Sequence, residues 1–167
     1  MQNHFDLFHL PQRYTLDLAQ LDAAYREVQA TVHPDKFVQA GDAEKRVAMQ
    51  WATRANEAYQ TLKRPLKRAA YLCEMHGVDV QSHSNTAMPA AFLMQQMEWR
   101  EAFEDARHAG DVAALEALEA DVHAALKSEL HSAGRALDAG DYDQAAQTVR
   151  ACMFLEKFIA DIAVHAE

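Results

Sequence analysis

The sequence contains few of the residues that interrupt helices or cross-link a chain. Its 167 residues include only 5 glycines, 4 prolines and 2 cysteines. Few glycines and prolines, beside many Ala, Leu, Glu and Gln residues, favour an all-helical fold. The cysteines, Cys73 and Cys152, lie in separate helical segments and form no Cys-x-x-Cys pair. This pattern favours two reduced thiols and is incompatible with a four-thiolate iron–sulfur site within the chain.

The sequence also lacks a long apolar run. No stretch of 18 or more apolar residues occurs, which argues against a membrane span. The first residues, MQNHFDLFHLPQRY, have no basic segment followed by an apolar one. We therefore expect no secretory signal and a cytoplasmic location.

Positive charge is scarce and unevenly distributed. The formal net charge is -9, which argues against broad nucleic-acid binding. Residues 1–75 hold 10 Lys and Arg against 9 Asp and Glu, whereas residues 76–167 hold 6 against 16. A nearly neutral N-terminal half and an acidic C-terminal half suggest two modules with different partners.

Apolar residues recur at helical spacing in the first half of the chain. They predict long helices over about residues 18–32 and 42–63, joined by a tight loop as an antiparallel hairpin. Short helices over residues 3–8 and 65–76 complete a first module at residues 1–76. The stripe residues are Leu21, Tyr25, Val28 and Val32 in the first long helix, and Ala48, Trp51, Ala52, Ala55, Tyr59 and Leu62 in the second.

The second half predicts a linker and a bundle. Residues 77–88, GVDVQSHSNTAM, lack a sustained apolar period and are the best linker candidate. Beyond them, helices over about 89–108, 111–137 and 141–163 predict an antiparallel three-helix bundle at residues 89–167. Ala-Gly-Asp occurs at 40–42, 109–111 and 139–141. In each copy, Gly is expected to end one helix and Asp to cap the next.

The core and outer faces of the bundle can be proposed from the same periodicity. On the middle helix, Leu115, Leu118, Val122, Leu126 and Leu130 form the core stripe. On the first helix, the predicted core stripe contains Phe92, Trp99, Ala102, Phe103 and Ala106.

The loop of the hairpin contains His33, Pro34 and Asp35. Proline fixes its own φ and disfavours helical geometry in the preceding residue, so the first long helix is expected to end at about Val32. The stiff turn presents the Asp35 carboxylate with little entropy to lose when it pairs with a cation of a partner. Pro and Asp are also common turn residues, so the tripeptide alone permits an ordinary turn.

The setting of this tripeptide resembles the J-domain. His-Pro-Asp lies at the apex of a helical hairpin, with Tyr25 before it and Asn-Glu-Ala-Tyr after it at residues 56–59. In J-domains, this tripeptide engages an ATPase chaperone of the DnaK type and stimulates ATP hydrolysis. The resemblance implies that role for the residues of the loop, with Arg26 and Lys36 as candidates for further contacts.

Four further blocks resemble the HscB family, the J-type co-chaperones of bacterial iron–sulfur cluster assembly. They are FDLFHLPQRYTLD, YQTLKRPLKRAAYLCEMHG, AFLMQQMEWREAFED and TVRACMFLEKF, and they cover nearly the whole chain in order. The resemblance implies an HscA-type ATPase chaperone and an IscU-type scaffold protein as partners. It implies no cofactor or metal for this chain. The helix before the loop mixes Arg26 with Asp22 and Glu27, whereas J-domains usually have a strongly basic helix there, and this difference favours a dedicated chaperone.

A second apolar patch is predicted on the first helix of the bundle. Leu93, Met94 and Met97 fall off the core stripe and beside acidic residues. Periodicity alone leaves two alternatives: an outward docking surface, or a core that wraps more of this helix. The resemblance implies the first, with the scaffold bound by this helix and the last one. The implied contacts are Leu93, Met94, Met97, Glu98, Glu101, Asp105 and Phe154.

Other functions fit the sequence less well. An enzyme is not expected, because no His-Glu-x-x-His, no Gly-rich phosphate loop and no nucleophile beside a base occurs. A general J-domain co-chaperone without a dedicated client is the main alternative, although no β-rich or zinc-bound client module is evident. A purely structural acidic bundle leaves the loop unexplained. The expected molecule is an all-α, L-shaped, monomeric adaptor with neither nucleic acid nor membrane as a partner.

Overall fold

The computed structural model describes residues 2–80 and 88–166, and these residues form α-helices joined by short connections. Within those two ranges no strand occurs, which confirms the predicted all-α class. A 3₁₀ helix at Pro34–Phe37 lies within the loop of the hairpin. The α-helices are α1 (His4–Leu7), α2 (Leu18–Val32), α3 (Asp42–Lys63), α4 (Pro65–Met75), α5 (Ala90–Ala109), α6 (Val112–Asp138) and α7 (Tyr142–Ala166).

The chain divides into two compact units, Met1–Leu72 and Cys73–Glu167. Most of the predicted linker, residues 81–87, lies outside the described residues. Among the residues of the predicted linker that the structure describes, Val80 is buried, and the backbone carbonyl of Asp79 accepts a hydrogen bond of 2.6 Å from the guanidinium of Arg150. Residues 79 and 80 are therefore fixed within the second unit. The predicted domain boundaries stay a prediction.

The first unit is built around the antiparallel pair α2 and α3. Asp17 caps α2 by accepting hydrogen bonds from the backbone N–H groups of Ala19 and Gln20, at 3.0 and 3.4 Å. The core of the unit joins aromatic residues of the α1 region to small residues of α3, which let the helices approach closely. Its buried apolar members are Phe5, Leu7, Phe8, Leu21, Ala48, Ala55, Ala58, Leu62, Ala69 and Leu72.

Two tyrosines add polar contacts to this hairpin. The rings of Tyr25 and Tyr59 stack with centroids 4.1 Å apart. The Tyr25 hydroxyl donates to the side-chain oxygen of Asn56 and accepts from Gln29 at 2.9 Å. The Tyr59 hydroxyl donates to a carboxylate oxygen of Asp22 at 2.6 Å, and this hydrogen bond raises the pKa of Tyr59. Both tyrosines therefore connect α2 to α3 through hydrogen bonds as well as stacking.

The second unit contains three long helices separated by tight turns. Gly110 ends α5 with φ +64°, and Asp111 then caps α6 by accepting from the backbone N–H of Ala114 at 3.0 Å. Gly140, with φ +81°, and Asp141 repeat this arrangement before α7. These two copies of Ala-Gly-Asp confirm the predicted punctuation. The first copy does not, because Gly41 has φ -71° and is itself the residue before α3, without a side-chain cap.

The bundle core follows the predicted stripes with one correction. Ala102, predicted to be in the core, is exposed, whereas Leu130 is half-buried, as Leu126 is. Phe103 of α5 meets Phe158 of α7 edge-to-face, with ring centroids 5.7 Å apart. One cluster of buried core residues contains Phe103, Ala106, Leu115, Leu118, Val122, Leu155, Phe158, Ile159 and Ile162, with Phe92, Trp99 and Leu126 packed against them.

In the first unit, Trp51 lies at the edge of the hairpin rather than within its core. It was predicted on the core stripe of α3 but is 36% exposed, and the guanidinium of Arg54 lies 5.3 Å from the centre of its ring. None of the helices in the described ranges combines the length and apolar character that a membrane span requires.

Both thiols should react slowly in the folded protein. Burial raises the pKa of Cys73 to about 11 and that of Cys152 to about 12, so both remain protonated at neutral pH. We expect alkylation by iodoacetamide near pH 8 to be at least ~100-fold slower in the native protein than in denaturant, where both thiols are solvated. Intact-mass spectrometry over time measures both rates. Equal rates would contradict the burial.

Candidate functional site

The hairpin loop is shaped by the proline that follows α2. His33 ends α2 with φ -60° and ψ 136°, an extended conformation that the next proline favours. Pro34 then begins the 3₁₀ helix, where its fixed φ and missing N–H carry no cost. The predicted end of α2 at Val32 is confirmed. The chain therefore leaves the helix at the point where the tripeptide begins.

Local hydrogen bonds order the tripeptide. The backbone N–H of Asp35 donates to Nδ1 of His33 at 3.2 Å, and the backbone N–H of Lys36 donates to the His33 carbonyl at 3.0 Å. Nδ1 of His33 also lies 3.5 Å from Oδ2 of Asp35. The side chain of Asp35 is 88% exposed and that of His33 is 57% exposed. The turn thus displays an accessible carboxylate on an ordered backbone.

An open groove of about 590 Å³ lies beside this turn. Its walls include His33, Pro34 and Asp35 together with Arg26 of α2 and Lys36 of the 3₁₀ helix. All five residues proposed for chaperone contact therefore line one surface. The groove thus offers one carboxylate and two cations to a partner.

A second hollow, missed by the sequence reasoning, lies between the loop, the end of α2 and the first half of α3. It has a volume of about 430 Å³ and a mainly apolar lining that includes Phe37, Val38 and Met49. Val38 and Met49 are 65% and 71% exposed. A signal existed in the sequence, because Met49 falls beside the predicted core stripe of α3 rather than on it. Apolar contacts are thus available next to the charged groove.

On the bundle, the second apolar patch faces solvent instead of the core. Leu93, Met94 and Met97 of α5 are 42%, 63% and 71% exposed, and Phe154 of α7 is 38% exposed. Large apolar side chains with this much exposure form a surface available for docking. The acidic residues predicted around them, Glu98, Glu101 and Asp105, are exposed as well.

A further contact joins α5 to α7, the two helices of this patch. The guanidinium of Arg100 on α5 lies 4.8 Å from the ring centre of Phe158 on α7. Tight turns join both helices to α6, so α5 and α7 run in the same direction. Phe154 lies one turn before Phe158, as Met97 lies about one turn before Arg100. Phe154 is thereby expected at the level of Met97, on a surface that both helices share.

Comparisons with known proteins show similarity over nearly the whole chain. The family model described as "HSCB C-terminal oligomerisation domain" matches residues 88–163. A "Co-chaperone protein HscB homolog" of Burkholderia mallei (strain SAVP1) is 58% identical over 165 residues, covering 99% of this chain and 94% of the relative. Among solved structures, "Chaperone HscB from Vibrio cholerae" has a TM-score of 0.80 at 34% identity, covering 98% of this chain and 96% of the other. Human co-chaperone protein HscB has a TM-score of 0.88 at 28% identity, covering 98% and 81%.

A helical hairpin with an exposed His-Pro-Asp turn is typical of the J-domain and places the chain in the class of J-type co-chaperones. Within that class, the chain belongs to the HscB family, whose members are co-chaperones of iron–sulfur cluster assembly. In the ranges that the structure covers, no group of three or more His, Cys, Asp or Glu side chains is arranged to hold a metal ion.

The exposed methionines of the candidate surfaces should oxidise first. Met49, Met94 and Met97 are at least 63% exposed, whereas Met88 is 8% exposed. With limiting hydrogen peroxide, we expect sulfoxide at the three exposed positions well before Met88, because the oxidant must reach the thioether sulfur. Peptide mass spectrometry of timed samples gives the order. Early oxidation of Met88 would contradict the described packing.

Proposed function

We propose that this protein stimulates ATP hydrolysis by an HscA-type chaperone of the DnaK class through its hairpin loop, and that its bundle delivers an IscU-type scaffold to that chaperone. The observation that carries the proposal is the exposed Asp35 carboxylate on an ordered turn between α2 and α3. Membership of the HscB family supports the choice of both partners.

The charged groove supports the chaperone contact. A carboxylate held by a short 3₁₀ helix loses little entropy when it forms a charge-assisted hydrogen bond with a cation of the chaperone. Arg26 and Lys36 line the same groove and can pair with acidic groups of the same partner. Opposite charges side by side favour one docking orientation over others.

The apolar patch supports the scaffold contact. Leu93, Met94, Met97 and Phe154 supply apolar area, and unbranched methionine side chains adapt to an irregular partner surface. Exposed acidic residues of α5 surround them and can steer a partner that carries positive charge. Since residues 76–167 hold 16 of the 25 acidic residues of the chain, this steering extends over the bundle.

Because the two surfaces belong to one chain, the protein can act as an adaptor without catalysing a reaction itself. A scaffold held by the bundle meets the peptide site of the chaperone at a raised effective concentration. Hydrolysis of ATP by the chaperone then commits that chaperone to tight binding. In this proposal the nucleotide belongs to the chaperone and the cluster to the scaffold, so the adaptor itself needs no cofactor. The proposed location of the adaptor is the cytoplasm.

The coupling of both surfaces can be tested by steady-state ATP hydrolysis of the HscA-type chaperone from the same organism. This protein and the scaffold are added singly and together. The proposal expects stimulation beyond the sum of the separate effects. Stimulation that is indifferent to the scaffold would favour a general J-domain co-chaperone, and no stimulation would mean that the tripeptide is only a turn.

Replacing Asp35 by asparagine should remove ATPase stimulation but leave scaffold binding intact. The Asp35→Asn change keeps the shape of the side chain and removes the charge that pairs with the chaperone, a loss of at least ~10-fold in stimulation. ATPase assays and calorimetric titration with the scaffold measure the two activities. Glu74→Gln, which neutralises an exposed acid of α4, is the matched control and should behave as wild type. Loss of both activities in Asp35→Asn would contradict separate surfaces.

Truncating the bundle patch should have the reverse effect. Alanine at Leu93, Met97 and Phe154 together removes most of the exposed apolar area, so we expect scaffold affinity to fall at least ~10-fold while chaperone stimulation without scaffold is kept. Calorimetry measures the affinity, and circular dichroism verifies that the variant is folded. A double alanine variant at Val112 and Val164, exposed apolar residues elsewhere on the bundle, is the control. Unchanged affinity in a folded triple variant would disprove the assigned patch.

A further inference from the structure

We propose that Met94 and Met97 are modification sites, and that their oxidation by a peroxide weakens docking of the scaffold on the bundle. The inference deepens the proposed function and rests on it, because it concerns the patch of α5 to which we assign the scaffold. It names the modification, the two sulfur atoms that receive it and the effect on the partner. Reduction of the two sulfoxides reverses that effect.

The most exposed sulfur-containing side chains that the structure describes in the second unit belong to α5. Met94 and Met97 are 63% and 71% exposed. Cys73 and Cys152 are buried, and burial keeps both as protonated thiols at neutral pH. Oxidation of cysteine requires an accessible thiolate, so these two residues do not consume the oxidant. A peroxide therefore reaches methionine sulfur before cysteine sulfur.

The two exposed methionines lie on the same face of α5. Residues three apart on a helix are neighbours, so the two side chains are adjacent, and Leu93 beside them is 42% exposed. The other methionines described in this unit are less accessible, because Met75 and Met153 are half-buried and Met88 is buried. Oxidation of the bundle thus begins at the docking patch and reaches the core later.

The chemical step is a two-electron transfer of oxygen. The thioether sulfur attacks one oxygen of hydrogen peroxide, a sulfur–oxygen bond forms and the O–O bond breaks. The proton on the transferred oxygen passes to the departing hydroxide, so each event yields one sulfoxide and one water. The sulfur is oxidised and the peroxide is reduced. Methionine sulfoxide reductases, one for each epimer, reverse the step by oxidising a dithiol to a disulfide and releasing the oxygen as water.

A sulfoxide suits this patch less well than a thioether does. It replaces a flexible apolar side chain by a polar and chiral one. Burial of its oxygen against an apolar partner surface removes water without supplying a hydrogen-bond donor. Glu98 lies one turn beyond Met94 and Glu101 lies one turn beyond Met97, and ionised carboxylates have no hydrogen to donate. Oxidation therefore removes apolar area and adds an unsatisfied acceptor at the interface.

Scaffold affinity before and after oxidation tests the inference. The full chain is treated with hydrogen peroxide until peptide mass spectrometry finds sulfoxide at Met94 and Met97 but not at Met88. Catalase then removes the peroxide before the scaffold is added, so the scaffold itself is not oxidised. We expect calorimetry to give an affinity at least ~10-fold lower after oxidation, and reduction by both sulfoxide reductases to restore it. Circular dichroism verifies that the oxidised protein is folded.

Two variants identify the sulfur atoms responsible. The double variant Met94→Leu and Met97→Leu removes both sulfur atoms from the patch and keeps its side chains apolar. Met49→Leu removes a sulfur from the first unit, where that side chain is 71% exposed. The effect of peroxide is expressed as the ratio of affinities within one protein, so any effect of the substitution itself cancels. We expect a ratio of at least ~10 for wild type and Met49→Leu, and a ratio below ~2 for the double variant.

The outcomes separate this inference from the proposed function. Equal affinity before and after oxidation, or an equal loss in the double variant, would overturn the inference and leave scaffold docking intact. A loss that the reductases do not restore would also overturn it, because the lesion would then lie outside the two sulfoxides. Absence of binding by the untreated protein would refute the assigned scaffold partner, and the inference would fail with it.

Discussion

The restriction that Pro34 imposes on His33 determines the organisation of the first unit. The proline ring excludes helical geometry at the residue before it, so α2 ends at Val32 and the chain turns. The same ring begins the 3₁₀ helix, which leads the chain toward α3. Only then can α3 return along α2 and bring Tyr59 against Tyr25. The helical hairpin and the exposed turn thus have one steric cause.

The packing of the hairpin explains why the turn needs hydrogen bonds of its own. Large buried side chains lie toward the end of the hairpin away from the loop, where Leu21 and Leu62 are fully enclosed. Near the loop, Val28 and Val32 are only half-buried, and Ala48 is a small core residue. Little apolar burial therefore stabilises the loop end. Its order depends on the stacked tyrosines, the Tyr25–Asn56 hydrogen bond and the bonds within the turn.

Sequence periodicity predicted the long helices well, because helix faces repeat every 3.6 residues and the breaks carry Gly, Pro or Asp. The same reasoning failed where neighbouring segments, and not the residue pattern, decide which positions are buried or where a helix begins. Ala102 continues the stripe of α5 but is exposed, and Gly41 precedes α3 without first ending a helix. Small residues carry weak signals, since alanine suits buried and exposed positions alike.

The two candidate surfaces could be predicted from the sequence to different extents. The His-Pro-Asp turn follows from local sterics, and the sequence placed it at the hairpin apex. The outward position of Leu93, Met94 and Met97 needed the structure, because periodicity left a core position open. The ring nitrogen of His33 that accepts a bond and the apolar hollow beside Met49 depend on side-chain geometry, which a one-dimensional pattern does not contain.

The buried thiols have a consequence for a protein that works beside iron–sulfur chemistry. Both free iron ions and the iron of a cluster bind thiolates. Burial keeps the thiols of Cys73 and Cys152 in the uncharged form. Such thiols do not compete with the ligands of a bound cluster and do not exchange with a partner's cysteines. Burial of these two thiols thus contributes chemical neutrality as well as stability.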